Sequence, residues 1–337
     1  MNNVKDQLHK DNYSIYNGDC MDVISNLPDN SIDFSVYSPP FAGLYIYSSD
    51  KRDMSNNESP EDFLKHYEFL IEQMSRTVKP GRIVAVHCTD VITHTTKHNL
   101  WDFPHEIIKL HLKHGFTYNN RITIWKEPLE VRMRTMVQSL THKNIVEDST
   151  RCFTAIPDYV LIFRKGGENK VPVIHENGLT DFPYFGETPF LQMHTDQYGS
   201  YQDFLKKWKG FDGDPKVNKL AHITWQRYAS SVWDDIRGHN VLEFKSAKEE
   251  DDEKHVHPLQ LDVIDRLVYL YSNPGEVCFT PFMGVGSEVF SPVSMGRKAI
   301  GIELKDSYYK QATLNLKEAE KRFNESNKIT QSTIQFQ

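Results

Sequence analysis

Two stretches of this chain alternate strand-like with helix-like segments, and a long stretch with neither pattern lies between them. That interrupted rhythm restricts the fold more than any other feature of the 337 residues. The first stretch runs from about Asp11 to Lys165. Ser14–Tyr16 is short and strand-like, Asp22–Leu27 reads as a helical turn, and Ile32–Tyr37 (IDFSVY) is a strand by its β-branched and aromatic content. From Glu61 to Val78, apolar residues at Phe63, Leu64, Tyr67, Leu70, Ile71 and Met74 follow helical spacing, and Lys79-Pro80-Gly81 stops the helix. Arg82–His87 is a buried-strand run, Phe103–Lys113 a helix ending at Gly115, and Arg121–Trp125 and Tyr159–Phe163 are further strands. The last stretch, from Pro258 to about Phe323, returns to the rhythm. Leu259–Tyr271 is a helix with a broad apolar face, Val277–Phe279 a strand, Glu288–Met295 a helix holding Pro292, Lys298–Ile302 a strand ending at Glu303, and Ser307–Arg322 a charged closing helix. The residues after it read as a frayed tail. Such alternation predicts an α/β fold: a doubly wound, mostly parallel, Rossmann-like sheet with helices on both faces.

Between these stretches, from about Gly166 to Glu250, the sequence is rich in Gly, Pro, Asp, Lys and aromatic residues. Lys206, Lys207, Lys209 and Lys216 stand beside Trp208 and Phe211. Such a cluster can neutralise phosphates and offer flat faces to bases, or simply form a solvated irregular insertion. The net charge of −7 argues weakly against a nucleic-acid partner, but binding depends on local clusters of cations. No apolar run reaches the length of a membrane span and no signal-peptide pattern is present. The four cysteines are scattered without CxxC pairing, which fits buried thiols of a cytoplasmic protein.

Two constellations carry chemistry. The first is the strand, glycine loop, helix and strand that ends in Glu303. In an open α/β sheet a ligand binds beyond the carboxyl ends of the strands. Gly284 and Gly286 let the backbone approach it closely, and an acid about twenty residues on can accept hydrogen bonds from ribose hydroxyls. The loop lacks the Lys-Ser/Thr pair of a P-loop and the full GxGxxG spacing, so a nucleoside without a long phosphate chain fits best. A loop that merely turns the chain is the plainer reading.

The second is Ser38-Pro39-Pro40-Phe41, directly after a buried strand. The prolines stiffen the backbone and remove two N–H donors. What remains is a group of acceptors, the Ser38 hydroxyl and the Ser38 and Pro39 carbonyls, beside the aromatic face of Phe41. Those acceptors suit an exocyclic amino group, whose nitrogen lone pair is freed to attack when both hydrogens are held, while the flat base stacks on Phe41. No cysteine follows the prolines, so a covalent route through a ring carbon is not indicated. A Pro-Pro turn after a core strand is again the plainer alternative.

Taken together, these motifs and their order resemble the beta-class S-adenosylmethionine-dependent DNA amino-methyltransferases, phage and prophage members included. The resemblance covers about Tyr13–Lys165 and His257–Ala312. Asn17-Gly18-Asp19-Cys20 with Leu27-Pro28 is similar to the family's segment near the cofactor adenine. Ser38-Pro39-Pro40-Phe41 resembles the catalytic tetrapeptide. Pro281-Phe282-Met283-Gly284-Val285-Gly286-Ser287 resembles the methionine-binding loop, and Glu303 the ribose acceptor. Val78-Lys79-Pro80-Gly81, His257-Pro258 and the segment from Trp225 to Trp233 also resemble family segments.

The resemblance implies a site-specific methyl transfer from S-adenosylmethionine to adenine N6 or cytosine N4 of a base flipped out of double-stranded DNA. It divides the chain into a catalytic half (1–165), a target-recognition insertion (166–250), a cofactor-binding half (251–325) and a disordered tail (326–337). It admits a homodimer and a restriction endonuclease partner, and no membrane. Departures are visible. Thr280 stands where the family loop has an acid, Leu261-Asp262 where a Lys-Pro is usual, Ser38 where Asp or Asn is more common, and Tyr37 where cytosine enzymes have Thr.

Other residues are open to two readings. Asp19 contacts the cofactor adenine or caps the turn at Asp22–Leu27. Tyr45 and Tyr47 line the base pocket or alternate on a surface. In the stretch Lys126–Arg151, the cations Lys126, Arg132, Arg134, Lys143 and Arg151 face phosphates or belong to an exposed solvated loop. His87 and His257 have no partners at metal spacing and read as structural, so no metal is expected. The rival functions are a methyltransferase acting on RNA or a protein amide, and a DNA-binding regulator on a degenerate methyltransferase scaffold.

Overall fold

In the computed structural model, the residues described are 4–40, 59–94, 99–135, 140–175, 228–248 and 258–334. Eleven strands and eight α-helices are found among them. Nine strands form one sheet. They are β1 (Asp6–His9), β2 (Tyr13–Asn17), β3 (Ile32–Tyr37), β4 (Val78–Thr89), β7 (Phe116–Ile124), β8 (Asp158–Lys165), β9 (Val232–Trp233), β10 (Val277–Thr280) and β11 (Lys298–Glu303). Their order is β1-β2-β11-β10-β3-β4-β8-β7-β9. β1 runs against β2, and β8 runs against both β4 and β7; the other pairings are parallel. A separate hairpin pairs β5 (Val91–His94) with β6 (Asn99–Trp101).

The central strands β3, β4 and β8 are near-continuous apolar runs because both faces of the sheet are covered there. One face packs on α1 (Cys20–Ile24), α2 (Pro60–Thr77) and α3 (Phe103–Lys113). Tyr37, Val84, Val86, Leu161 and Phe163 meet Phe63, Tyr67, Leu70 and Ile107 there. The other face packs on α6 (Leu261–Tyr271), α7 (Ser287–Ser294) and α8 (Asp306–Ile334). Period-2 alternation sorts the residues: Phe34, Val36, Ala85, Val160, Ile162, Ile122 and Ile124 turn to the α6 side. This is the doubly wound arrangement expected.

The local signals explain the boundaries. Ser59 caps α2, its hydroxyl accepting the Asp62 N–H, with Pro60 in the first turn; Asp102 caps α3 in the same way through His105. Four of the differences from the expectations bear on the site or the domain limits. The helix read at Asp22–Leu27 begins at Cys20, because Asp19 accepts the Met21 N–H and caps it there. The stretch Lys126–Arg151 is more than a loop: Pro128 opens α4 (Pro128–Thr135), and Thr141 caps α5 (His142–Asp148) by accepting the Asn144 N–H. The end of the region read as an insertion joins the core, with Trp233 fully buried on β9 and Leu242, Phe244 and Ala247 packed against α8 residues. Finally, α8 runs on to Ile334 where a tail was expected from 326; no Gly or Pro interrupts Asp306–Ile334. No helix among the described residues is long and apolar enough to cross a membrane.

Candidate active site at the carboxyl edge of the sheet

Parallel strands deliver their carboxyl ends to one edge, and the connections leaving that edge hold the motif residues. β10 lies between β11 and β3, with Phe279 registered against Ile300 on one side and Ser35 on the other. The glycine loop, Glu303 and Ser38 therefore leave three adjacent strands. At ~4.8 Å per strand, Ser38 and Glu303 follow strands roughly 10 Å apart. Residues more than two hundred positions apart in sequence thus meet at one edge.

On the β10–β11 side the site is built from backbone. Gly284 and Gly286 adopt φ of 51° and 98°, the left-handed region. A Cβ on Gly284 would enter open space, whereas one on Gly286 would come within 3.1 Å of Ala312 Cβ. Glu303 Oε2 accepts the Gly284 N–H at 2.9 Å, and Oε1 accepts the Lys305 N–H at 2.8 Å. The Glu303 carbonyl accepts the Gly18 N–H and one amide hydrogen of Asn17. Thr280 is fully buried, and its Oγ1 accepts the Phe282 N–H at 3.4 Å. Pro281 is buried, and Phe282 meets Tyr37 edge-on at 6.0 Å. Ser287 is buried at the start of α7, and its hydroxyl has no partner among the described residues.

Asp19 stands at the same edge as the cap of α1. Cys20 turns its thiol into the core, where burial and then the Asp19 charge push its pKa well above the ordinary value. Glu288, a residue that the sequence motifs did not single out, is buried beside the loop. Burial first, and then the Glu303 charge, push its carboxyl up to about 8.

On the β3–β4–β8–β7 side the site is built from side chains. Ser38 Oγ lies 3.0 Å from His87 Nδ1, with the His87 carbonyl at 3.4 Å. His87 Nε2 lies 3.1 Å from Asp158 Oδ2, close enough for the carboxylate to act on the ring though outside ideal hydrogen-bond geometry. Lys126 Nζ donates to the other Asp158 oxygen at 2.5 Å. Burial alone would raise the Asp158 pKa, but the charges of Lys126 and His87 outweigh it and hold the carboxyl well below the usual range. Each of these four residues continues an apolar row on the α6 face of its strand: Phe34 and Val36 lead to Ser38, Ile83 and Ala85 to His87, and Ile122 and Ile124 to Lys126, while Asp158 precedes Val160 and Ile162. His87, read from sequence as structural, is thus beside the proposed catalytic tetrapeptide; Lys126, read as a phosphate-facing or solvated cation, instead pairs with Asp158, which the sequence reading did not single out.

Pro39 is buried and Pro40 partly so, while Phe41, Tyr45 and Tyr47 lie outside the described residues. The cations fall apart. Arg132 is half-buried on α4, and Lys143 is exposed on α5 and pairs with Glu147 at 3.6 Å. Arg134 belongs to α4, but its side chain lies outside the described residues, as do Lys206, Lys207, Lys209 and His257.

The family model for N6/N4 methyltransferases, described as DNA methylase, matches residues 32–314. The chain belongs to this DNA methylase family. The chain is similar to the Type II methyltransferase M.BglII of Bacillus subtilis, with 24% identity over 87% of the chain and 66% of that protein. It is also similar to M.BamHI of Bacillus amyloliquefaciens, with 22% identity over 97% of the chain and 64% of that protein. It therefore spans about two thirds of the length of these relatives. Among solved structures, the cytosine-N4-specific PvuII DNA methyltransferase matches with a TM-score of 0.59 and 14% identity, over 96% of this chain and 95% of that one. TTHA0409 of Thermus thermophilus, complexed with S-adenosyl-L-methionine, matches with a TM-score of 0.57 and 21% identity, over 91% and 95%. These likenesses establish the same methylase fold.

Proposed function

We propose that this chain transfers a methyl group from S-adenosylmethionine to the exocyclic amino nitrogen of an adenine or cytosine flipped out of double-stranded DNA. The observation that carries this reading is the convergence of Ser38, the Gly284 loop and Glu303 on one sheet edge, from adjacent strands. The residues present fit the cofactor. Gly284 has open space where a Cβ would stand, Ser287 offers a buried hydroxyl without a partner among the described residues, and Glu303 is held in place by two backbone N–H groups. When bound, S-adenosylmethionine supplies a methyl group already activated by its sulfonium.

The chain's own task is positioning. Glu303 receives the ribose hydroxyls, and the loop from Pro281 to Ser287 lines the methionine end. Ser38 Oγ and the Pro39 carbonyl accept the two amino hydrogens, with no competing N–H from Pro39 or Pro40. The β7–β8 connection leaves and returns at this edge, so Arg132, Arg134 and Lys143 are candidates for phosphate contacts, with Lys206, Lys207 and Lys209 from the central stretch. The reading takes the protein to be cytoplasmic. It extends to a homodimer and to a partner endonuclease, following the likeness to Type II methyltransferases; sedimentation and co-expression test those two.

The test is to incubate the purified protein and S-adenosylmethionine with methyl-free, whole-genome-amplified DNA, and then to sequence the modified bases. N6-methyladenine or N4-methylcytosine is expected at one recurring motif. Retained cofactor and DNA binding without either modified base would sink the reading in favour of a DNA-binding regulator.

A further inference from the structure

Resting on the methyl-transfer reading, we infer that His87, oriented by Asp158, is a positioning residue for the reaction: its Nδ1 takes the hydrogen of the Ser38 hydroxyl, turns the Ser38 lone pairs toward the amino group, and accepts the proton that group must lose.

A serine hydroxyl both donates and accepts, and left alone it rotates freely. Ser38 has a fixed place to donate, because His87 Nδ1 lies 3.0 Å from its oxygen; the His87 carbonyl at 3.4 Å is the longer alternative. For Nδ1 to accept, the ring hydrogen must sit on Nε2, and Asp158 Oδ2, 3.1 Å from Nε2, favours that tautomer. Lys126 keeps Asp158 ionised from the far side. A mere tie between two strand ends would not need a buried carboxylate, whose desolvation is costly.

The other charges around His87 are engaged elsewhere. On α6, which covers this face, Asp262 pairs with Arg237, Arg266 with Asp235, and Asp265 lies against the Ser291 side chain of α7. Asp90, Asp102, Arg121 and Tyr159 interact with one another around Cys88, which turns to the opposite face of the sheet.

The chemistry balances without another reagent. The amino nitrogen gains a bond to the methyl carbon as the carbon–sulfur bond breaks, its electron pair going to sulfur. The nitrogen is left positively charged with one proton too many. That proton passes to Ser38 Oγ as the Ser38 hydrogen passes to His87 Nδ1, giving an imidazolium beside the Asp158 carboxylate. Once the product leaves, the proton returns through Ser38 to water.

Single-turnover methylation of methyl-free amplified DNA, followed from acid to alkaline pH, tests this directly. The wild-type rate should fall in acid, where a protonated His87 can no longer accept. His87→Ala should be about 100-fold slower and lose the acid limb, with S-adenosylmethionine affinity by calorimetry unchanged within about twofold. His87→Asn, which sets a carbonyl oxygen near the place of Nδ1, should keep the fold, recover part of the rate and still lack the acid limb. Independently of activity, nitrogen NMR of labelled histidine should find the His87 hydrogen on Nε2, and Ser38→Ala should shift the Nδ1 resonance. Full activity or a persisting acid limb in both variants, or a hydrogen on Nδ1, overturns the inference. A wild type that methylates no DNA overturns the functional reading, and the inference with it; a methylating wild type with unaffected variants overturns the inference alone.

Discussion

The two sides of the sheet edge are made of different material. Beside β10 and β11 the surface is backbone: left-handed glycines, and a glutamate whose oxygens are tied to the N–H groups of Gly284 and Lys305. Beside β3, β4, β8 and β7 it is a row of side chains from Ser38 through His87 and Asp158 to Lys126. A backbone cradle is shaped by the absence of a Cβ, so changing it alters how well something fits. A side-chain row is shaped by protons and charges, so changing it alters how fast something reacts. The comparison therefore predicts that substitutions on the two sides separate binding from rate.

The largest expected effect lies on the side-chain side. Ser38→Ala removes one of the acceptors aimed at the amino group and leaves the glycine loop untouched. The methylation rate at saturating cofactor should fall by about 10²–10³-fold, about 3–4 kcal/mol of barrier. Cofactor affinity should hold. Single-turnover kinetics beside calorimetry checks the split, and a Ser38→Ala enzyme that lost cofactor binding as strongly as rate would erase the distinction.

On the backbone side the effect should be smaller and of the opposite kind. At Gly284 the positive φ of 51° disfavours any side chain, and the space a Cβ would fill is open. Gly284→Val should weaken S-adenosylmethionine binding by about 10–100-fold, or about 1.4–2.8 kcal/mol. Holding valine in a left-handed conformation should cost about 1–2 kcal/mol of stability. Calorimetry and a thermal melt measure the two. Unchanged affinity would mean that the loop is only a turn.

The same contrast explains what the sequence disclosed. Features written in the backbone were legible. Gly284, Gly286 and the Pro39-Pro40 pair change what the chain can do wherever they fall, and Glu303 stands at a fixed offset along the same strand–loop–helix–strand unit. The α/β rhythm exposed both covered faces of the sheet because its central strands, β3, β4 and β8, had to be apolar on both sides. The Ser38–His87–Asp158–Lys126 row was not legible, since its members lie on four strands and the pairing of β4 with β8 brings together positions about seventy residues apart. A signal was nonetheless present. Each residue is the polar one that continues the apolar alternation Phe34–Val36, Ile83–Ala85, Ile122–Ile124 or Val160–Ile162 to the carboxyl edge of the sheet. Strand order, which decides whether such residues become neighbours, comes from nonlocal pairing. Helix α5 and the buried Trp233 were missed for a related reason. A short helix with no buried residue carries little apolar period, and a two-residue strand carries none.

The smallest effect should come from the residue that breaks the division. Glu288 is a titratable side chain on the backbone side, buried at the start of α7, with its carboxyl pushed up to about 8 by burial and by the Glu303 charge. Unfolding would release it to water, where its ordinary value is 4.5. The unfolded chain therefore loses this proton at lower pH than the folded one, and the penalty for folding grows as pH rises from about 4.5 to 8 and then levels off. Glu288→Gln keeps the shape of the neutral acid and cannot ionise. The variant and the wild type should melt together in mild acid. The variant should pull ahead by a few degrees at pH near 8, a gain on the order of 1–3 kcal/mol after allowance for relaxation around the site. A thermal melt across that window decides the matter. If the gap between the two proteins is the same at every pH, Glu288 is charged in the folded state, and the backbone side carries a second charge beside Glu303.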